Sequence, residues 1–147
     1  MTRHSERRVL AYSPRQMFDL VADVPRYPEF LPWCTAARVR RRESATVEID
    51  ELAIGFGPFR EKFVSRVVLQ AGDPAALRID TTGVEGPFRH LASHWVFRPC
   101  AEGTEVDFSL EFDFRSRLLQ KTVQVLFAEA VKRMVSAFES RARQLYR

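Results

Sequence analysis

The sequence predicts an α+β chain, a curved antiparallel sheet of about six or seven strands around a long C-terminal helix, with one or two short helices after strand 1. Three observations carry that prediction. Apolar and polar residues alternate through "FREKFVSRVVL" (59–69) and "TEVDFSLEFDF" (104–114), the period of strands with one dry and one wet face. From about 117 to 145 the apolar spacing changes to three and four, the period of a helix. Between the first strand and the sheet, a dense helix-start signal is followed by a proline cluster that breaks regular structure.

Residues 6–12 read as the first strand, leaving His4 in a frayed tail. In "YSPRQM", Ser13 is an N-cap, Pro14 takes the first helical position and Gln16 completes a capping box, which starts a helix over about 14–22. "DVPRYPEFLPWC" (23–34) then allows at most one further helical turn, near 25–31. "TVEIDELAIG" alternates but slips phase between Ile49 and Leu52, which predicts a bulge there. "ALRIDTT" and "FRHLASHWVF" supply two more strands, with "GFGPF", "AGDPA", "GVEGPF" and "PCAEGT" as the turns between strands. Ser116 caps the last helix, whose stripe runs through Leu119, Val123, Leu126, Phe127, Ala130, Met134, Phe138, Ala142 and Leu145. A stripe that long needs an equally long apolar surface beneath it, and the dry face of the sheet is one.

The length suits one domain over 1–147, with a core and room for a pocket. No apolar run reaches the ~20 residues of a bilayer span, and the N-terminal residues lack the apolar stretch of a secretory signal. A cytoplasmic protein is expected, with transient contact at the inner membrane. Cys34 and Cys100 read as free thiols. The 23 Lys and Arg outnumber 19 acids, and two basic regions stand out: Arg38, Arg40, Arg41 and Arg42, and the last helix. Such surfaces suit RNA or anionic lipid, or are merely solvated. DNA is not an expected partner.

Catalytic and metal chemistry find little support. His90 and His94 lie four residues apart on a strand, about 13 Å, too far to share one ion, so no metal site is expected. No nucleophile elbow, P-loop or dinucleotide fingerprint is present. Glu111 and Asp113 fall on a wet face, and only Asp50 or Glu51, beside the phase slip, is placed to point inward. What remains is apolar volume between Phe59, Phe63, Trp95, Phe108 and Phe112 of the sheet and Phe127 and Met134 of the helix, with Tyr27, Phe30 and Trp33 at an entrance beside the two "GPF" turns. These side chains either fill that space or line a ligand cavity.

"MFDLVADVPRYPEFLPWC", "IGFGPFREKFVSRVVL" and "GVEGPFRHLASHWVF", with the strand-then-helix ending, resemble the coenzyme Q-binding family, within the START-like, polyketide cyclase-related superfamily of helix-grip fold. The resemblance spans essentially the whole chain. It implies a carrier or chaperone, not an enzyme, that needs no cofactor, binds ubiquinone or a similar isoprenoid lipid and supports respiration. Tyr27, Trp33 or Trp95 would donate to the quinone carbonyls. Bacterial relatives described as ribosome-association toxins imply an alternative, binding of the large ribosomal subunit through Arg38–Arg42 and the basic helix. The wider superfamily also suggests a cyclase or aromatase, which the lack of an inward acid–base pair disfavours.

Overall fold

The computed structural model describes residues 1–146. Seven strands form one antiparallel sheet: β1 (Thr2–Leu10), β2 (Cys34–Arg42), β3 (Val47–Phe56), β4 (Phe59–Gln70), β5 (Leu77–Glu85), β6 (Phe88–Cys100) and β7 (Gly103–Phe114). Their spatial order is β1-β7-β6-β5-β4-β3-β2, so β2 to β7 form a meander and β1 closes onto β7. The first strand begins earlier than its sequence pattern suggests. Every residue from Thr2 to Leu10 pairs with β7, and the His4 ring sits 6.2 Å from that of Phe108. Backbone pairing along an edge recruits "TRHSERR", which has no apolar alternation to announce it.

Helix α1 (Pro14–Ala22) forms as its signals predict. The Ser13 hydroxyl accepts from the Gln16 amide while the Gln16 side chain accepts from the Ser13 N–H. The proline segment forms a short 3₁₀ helix, Val24–Glu29, about two turns at three residues each and so longer than the single turn expected. The last helix is jointed: α2 (Arg117–Thr122), α3 (Gln124–Lys132) and α4 (Met134–Leu145) meet at Val123 and Arg133. At the second joint ψ opens to 2° and the Arg133 N–H bonds back to Ala130, a 3₁₀-like tightening. A straight rod would leave a concave sheet at both ends; the joints keep Val123, Phe127, Val131, Val135, Phe138 and Ala142 buried along it. Leu126 and Leu145, assigned to the same stripe by spacing, are exposed.

The bulge expected in β3 is absent. β3 pairs with β4 in unbroken register, and β2 slips instead, between Cys34 and Ala36 and again between Val39 and Arg41, the second opposite Asp50 and Ile49. The break in the β3 pattern is chemical instead: its inner face carries Glu48, Asp50, Leu52 and Ile54, so two acids stand where alternation predicts apolar residues. The turn before β6 also differs from expectation. Its Phe88 does not border an entrance but is buried against Phe63, Phe114 and Phe127. Gly86 allows this close seating: at φ 130° a Cβ would stand 2.6 Å from that of Phe63.

Candidate functional site

The aromatic residues of the proline segment fasten it to the last helix. Tyr27 and Phe30 meet Phe138 edge to face at 5.3 and 5.2 Å, and Arg141 lies over the Phe30 ring and pairs with Glu29. The Tyr27 hydroxyl donates to the Val21 carbonyl, and burial raises its pKa far above the usual tyrosine range. That hydroxyl is therefore engaged within the protein. Trp33 meets Phe127 at 6.2 Å, as does Phe56 from the β3–β4 turn.

Between the sheet and the helix the side chains fill most of the space but leave a chamber of about 90 Å³. Of the residues expected around it, Tyr27, Trp33, Phe63, Trp95, Phe108, Phe127 and Met134 line it. Three do not. Phe30 packs on Phe138, Phe59 is half-buried at the start of β4, and Phe112 is buried behind the wall against Phe88 and Phe127. The chamber is smaller than the ~150 Å³ apolar cavity that holds a benzene ring, so a larger guest needs the walls to part. Outside it a groove of about 580 Å³ runs between the proline segment, the β3–β4 turn and helices α3 and α4. Trp33 belongs to the walls of both, so it stands as the partition between them.

The floor holds what the sequence reading underweighted. Asp50, Ser65, Thr81 and Ser93 come from four adjacent strands and all face the chamber. Asp50 lies opposite Ser65, Ser65 opposite Gly83, and Thr81 opposite Ser93, so the four form a diagonal polar stripe. Asp50 is 0% exposed and no donor of the protein reaches either carboxyl oxygen, while the Glu48 carboxylate is placed to share a proton with it. Burial, and then the neighbouring Glu48 carboxylate, push its pKa up to about 8 against a smaller opposing pull from Arg42. The signal was present in the parity of "EIDELAI": with Leu52 and Ile54 inward, Asp50 and Glu48 must be inward too. Reading Ile49 as a core residue concealed it, because Ile49 is buried on the other face of β3.

The remaining polar candidates lie on the outside. His90 partners Glu111 at 2.9 Å and His94 partners Asp80 at 2.6 Å. Asp113 pairs with Arg89, and Glu51 accepts from Arg38 and Arg40, which hold it down to about 2. The Arg38–Arg42 cluster is not a bare basic patch. Arg40 also reaches Glu85, Arg41 pairs with Glu43, and Arg42 pairs with Glu48, so each arginine meets a carboxylate. Cys34 is buried, which raises its thiol to about 11, and Cys100 is likewise free.

A family model described as polyketide cyclase / dehydrase and lipid transport matches residues 10–139, which takes in β2 to β7 and most of the last helix. The chain belongs to this family. Among the family's curated relatives, the ribosome association toxin RatA of Rickettsia prowazekii is 41% identical over 94% of each chain. The mitochondrial coenzyme Q-binding protein COQ10 homolog B of Xenopus laevis is 36% identical over 97% of this chain and 59% of its own length. A START superfamily protein from Mycobacterium smegmatis, 18% identical, superposes with a TM-score of 0.79 over 97% of this chain and 98% of its own, which shows the shared fold. The START-like, helix-grip architecture implied by the resemblance is therefore this chain's architecture. Among the described residues, no helix is long and apolar enough to cross a membrane.

Proposed function

We propose that the chain is a carrier for one lipophilic ligand of the isoprenoid quinone type, ubiquinone or a close analogue, in support of respiratory electron transport, and that the ligand is held between sheet and C-terminal helix behind Trp33. The observation that carries this reading is the chamber and groove meeting at a single aromatic partition. Each buried CH₂ contributes about 0.8 kcal/mol, so an isoprenoid tail needs little beyond a dry channel. The reading favours a carrier over a catalyst because, among the described residues, the chamber lining holds no histidine, cysteine, lysine or arginine to act as acid–base partner to Asp50. Exchange with a bilayer would use the exposed Leu118, Val125 and Leu126, the last of which also lines the groove, with Arg117 and Lys121 beside them for anionic headgroups. Solvent extraction and mass analysis of the purified protein should find an isoprenoid quinone. Preparations that are empty and also refuse added ubiquinone would end this reading.

A second reading is favoured by the RatA relatives: association with the large ribosomal subunit. Because Arg38–Arg42 are ion-paired, its surface would be the outer side of the last helix, where among the described residues no carboxylate pairs with Arg117, Lys121, Arg133 or Arg143. Reversing these four charges should abolish co-sedimentation with 50S subunits at low salt. Failure of the native protein to co-sediment would remove the reading.

A further inference from the structure

The polar floor is not explained by an apolar cargo alone. A fully enclosed carboxyl that no donor reaches, and whose proton-sharing neighbour is a second acid, costs stability, and leucine at the same position would avoid the cost. We infer that Asp50, Ser65, Thr81 and Ser93 form a head-group subsite, that the ligand enters head first, and that a carbonyl oxygen of its head accepts a hydrogen bond from the Asp50 carboxylic acid. The inference rests on the lipid-carrier reading above and assigns an orientation and a polar partner within it.

Geometry supports the head-first orientation. Among the described residues the inner chamber carries a hydroxyl-and-carboxyl stripe, and its walls must part to admit a ring; the outer groove is several times larger and, beside Glu129 and Arg133, offers Leu31, Pro32, Phe56, Leu126 and Ala130 to a tail. A ring seated on the stripe places its tail at Trp33, the partition into that groove. The reverse orientation would bury hydrocarbon against Asp50 and leave the carboxyl with no partner beyond Glu48.

The carboxyl must be neutral to donate. Its surroundings favour that form. From β3 and β2 the nearby charged groups are Glu48 and its partner Arg42, and from the 3₁₀ helix comes the phenol of Tyr27, committed to Val21. β4, β5 and β6 present only hydroxyls, and helices α1, α3 and α4 present Val21, Phe127, Met134 and Phe138, none of which titrates. Deprotonation would remove the donor and set an anion against the carbonyl oxygen, so quinone affinity should fall with rising pH through the Asp50 titration.

The test compares a short-tailed ubiquinone with a ring-free isoprenoid hydrocarbon of the same tail length, read by displacement of a fluorescent apolar dye at pH 6 and pH 9. Native protein should prefer the quinone by about tenfold at pH 6 and lose that preference at pH 9. Asp50→Asn, near-isosteric and still a donor, should keep the preference at both pH values. Asp50→Leu should lose it at both while binding the hydrocarbon normally. Equal affinity for the two ligands, or the same pH profile in native protein and Asp50→Asn, would overturn the head-first subsite and leave the lipid carrier standing. If neither ligand displaces the dye from native protein, the carrier reading falls and this inference with it.

Discussion

A carboxyl held out of water beside a second acid favours its neutral form, so Asp50 binds its proton more tightly in the folded chain than in the unfolded one. The sign of the linkage follows. Between the ordinary carboxylate range and about pH 8 the folded state holds more protons, so raising the pH through that window lowers stability. The urea midpoint of native protein should therefore drop from pH 5 to pH 9. Asp50→Asn, with nothing to titrate there, should resist that drop by about 1 kcal/mol or more. Parallel profiles would mean that Asp50 ionises at an ordinary pKa. Arg42→Ala belongs to the same scale. It leaves Glu48, 2% exposed, without its guanidinium partner and should cost about 1–3 kcal/mol in denaturant titrations, a loss no solvated charge cluster would show.

At the scale of elements, local signals decide ends and turns. The Ser13–Gln16 capping box closes the start of α1 in full, and Ser13→Ala should lower stability by about 1 kcal/mol in a thermal melt. Gly86 is more demanding, because any side chain there both strains the backbone and strikes the Phe63 Cβ and the Lys62 carbonyl at under 3 Å. Gly86→Ala should cost about 2 kcal/mol or more, and a near-neutral melt would mean that the turn relaxes away from Phe63. Most of the elements were legible in the sequence because alternation and capping are local properties. β1 was legible only in part, since its pairing partner lies about a hundred residues away and its own residues alternate poorly. The joints at Val123 and Arg133 were not legible, because a stripe spaced by three and four fits a bent rod as well as a straight one.

The whole molecule couples chamber, groove and exposed helix face. Leu118 and Val125 are 68% and 69% exposed apolar residues of the last helix, adjoining Arg117 and Lys121 along the chain, and the exposed Leu126 lines the groove. The triple change Leu118→Asp, Val125→Asp, Leu126→Asp should sharply reduce co-flotation with anionic vesicles, while the thermal midpoint holds because these side chains are already in water. Unchanged flotation would move the contact surface elsewhere. The candidate site was legible as a list of aromatic residues but not as a volume. Seven of the ten expected residues reach the chamber, yet Phe30, Phe59 and Phe112, drawn from the same patterns, pack outside it or behind its wall. Side-chain parity assigns a face; it does not say which part of that face borders the space left between two curved surfaces.

By itself the sequence determined the sheet, the short helices, the long apolar stripe and the rings of the proline segment, because each follows from spacing or capping within a few residues. Only the tertiary structure decided that the chamber is small and parted from the groove by Trp33, that four arginines are matched by carboxylates, and that Asp50 is sealed from water under the helix. Those outcomes depend on which strands lie side by side and how far the sheet curves, and these are set by contacts between residues distant along the chain.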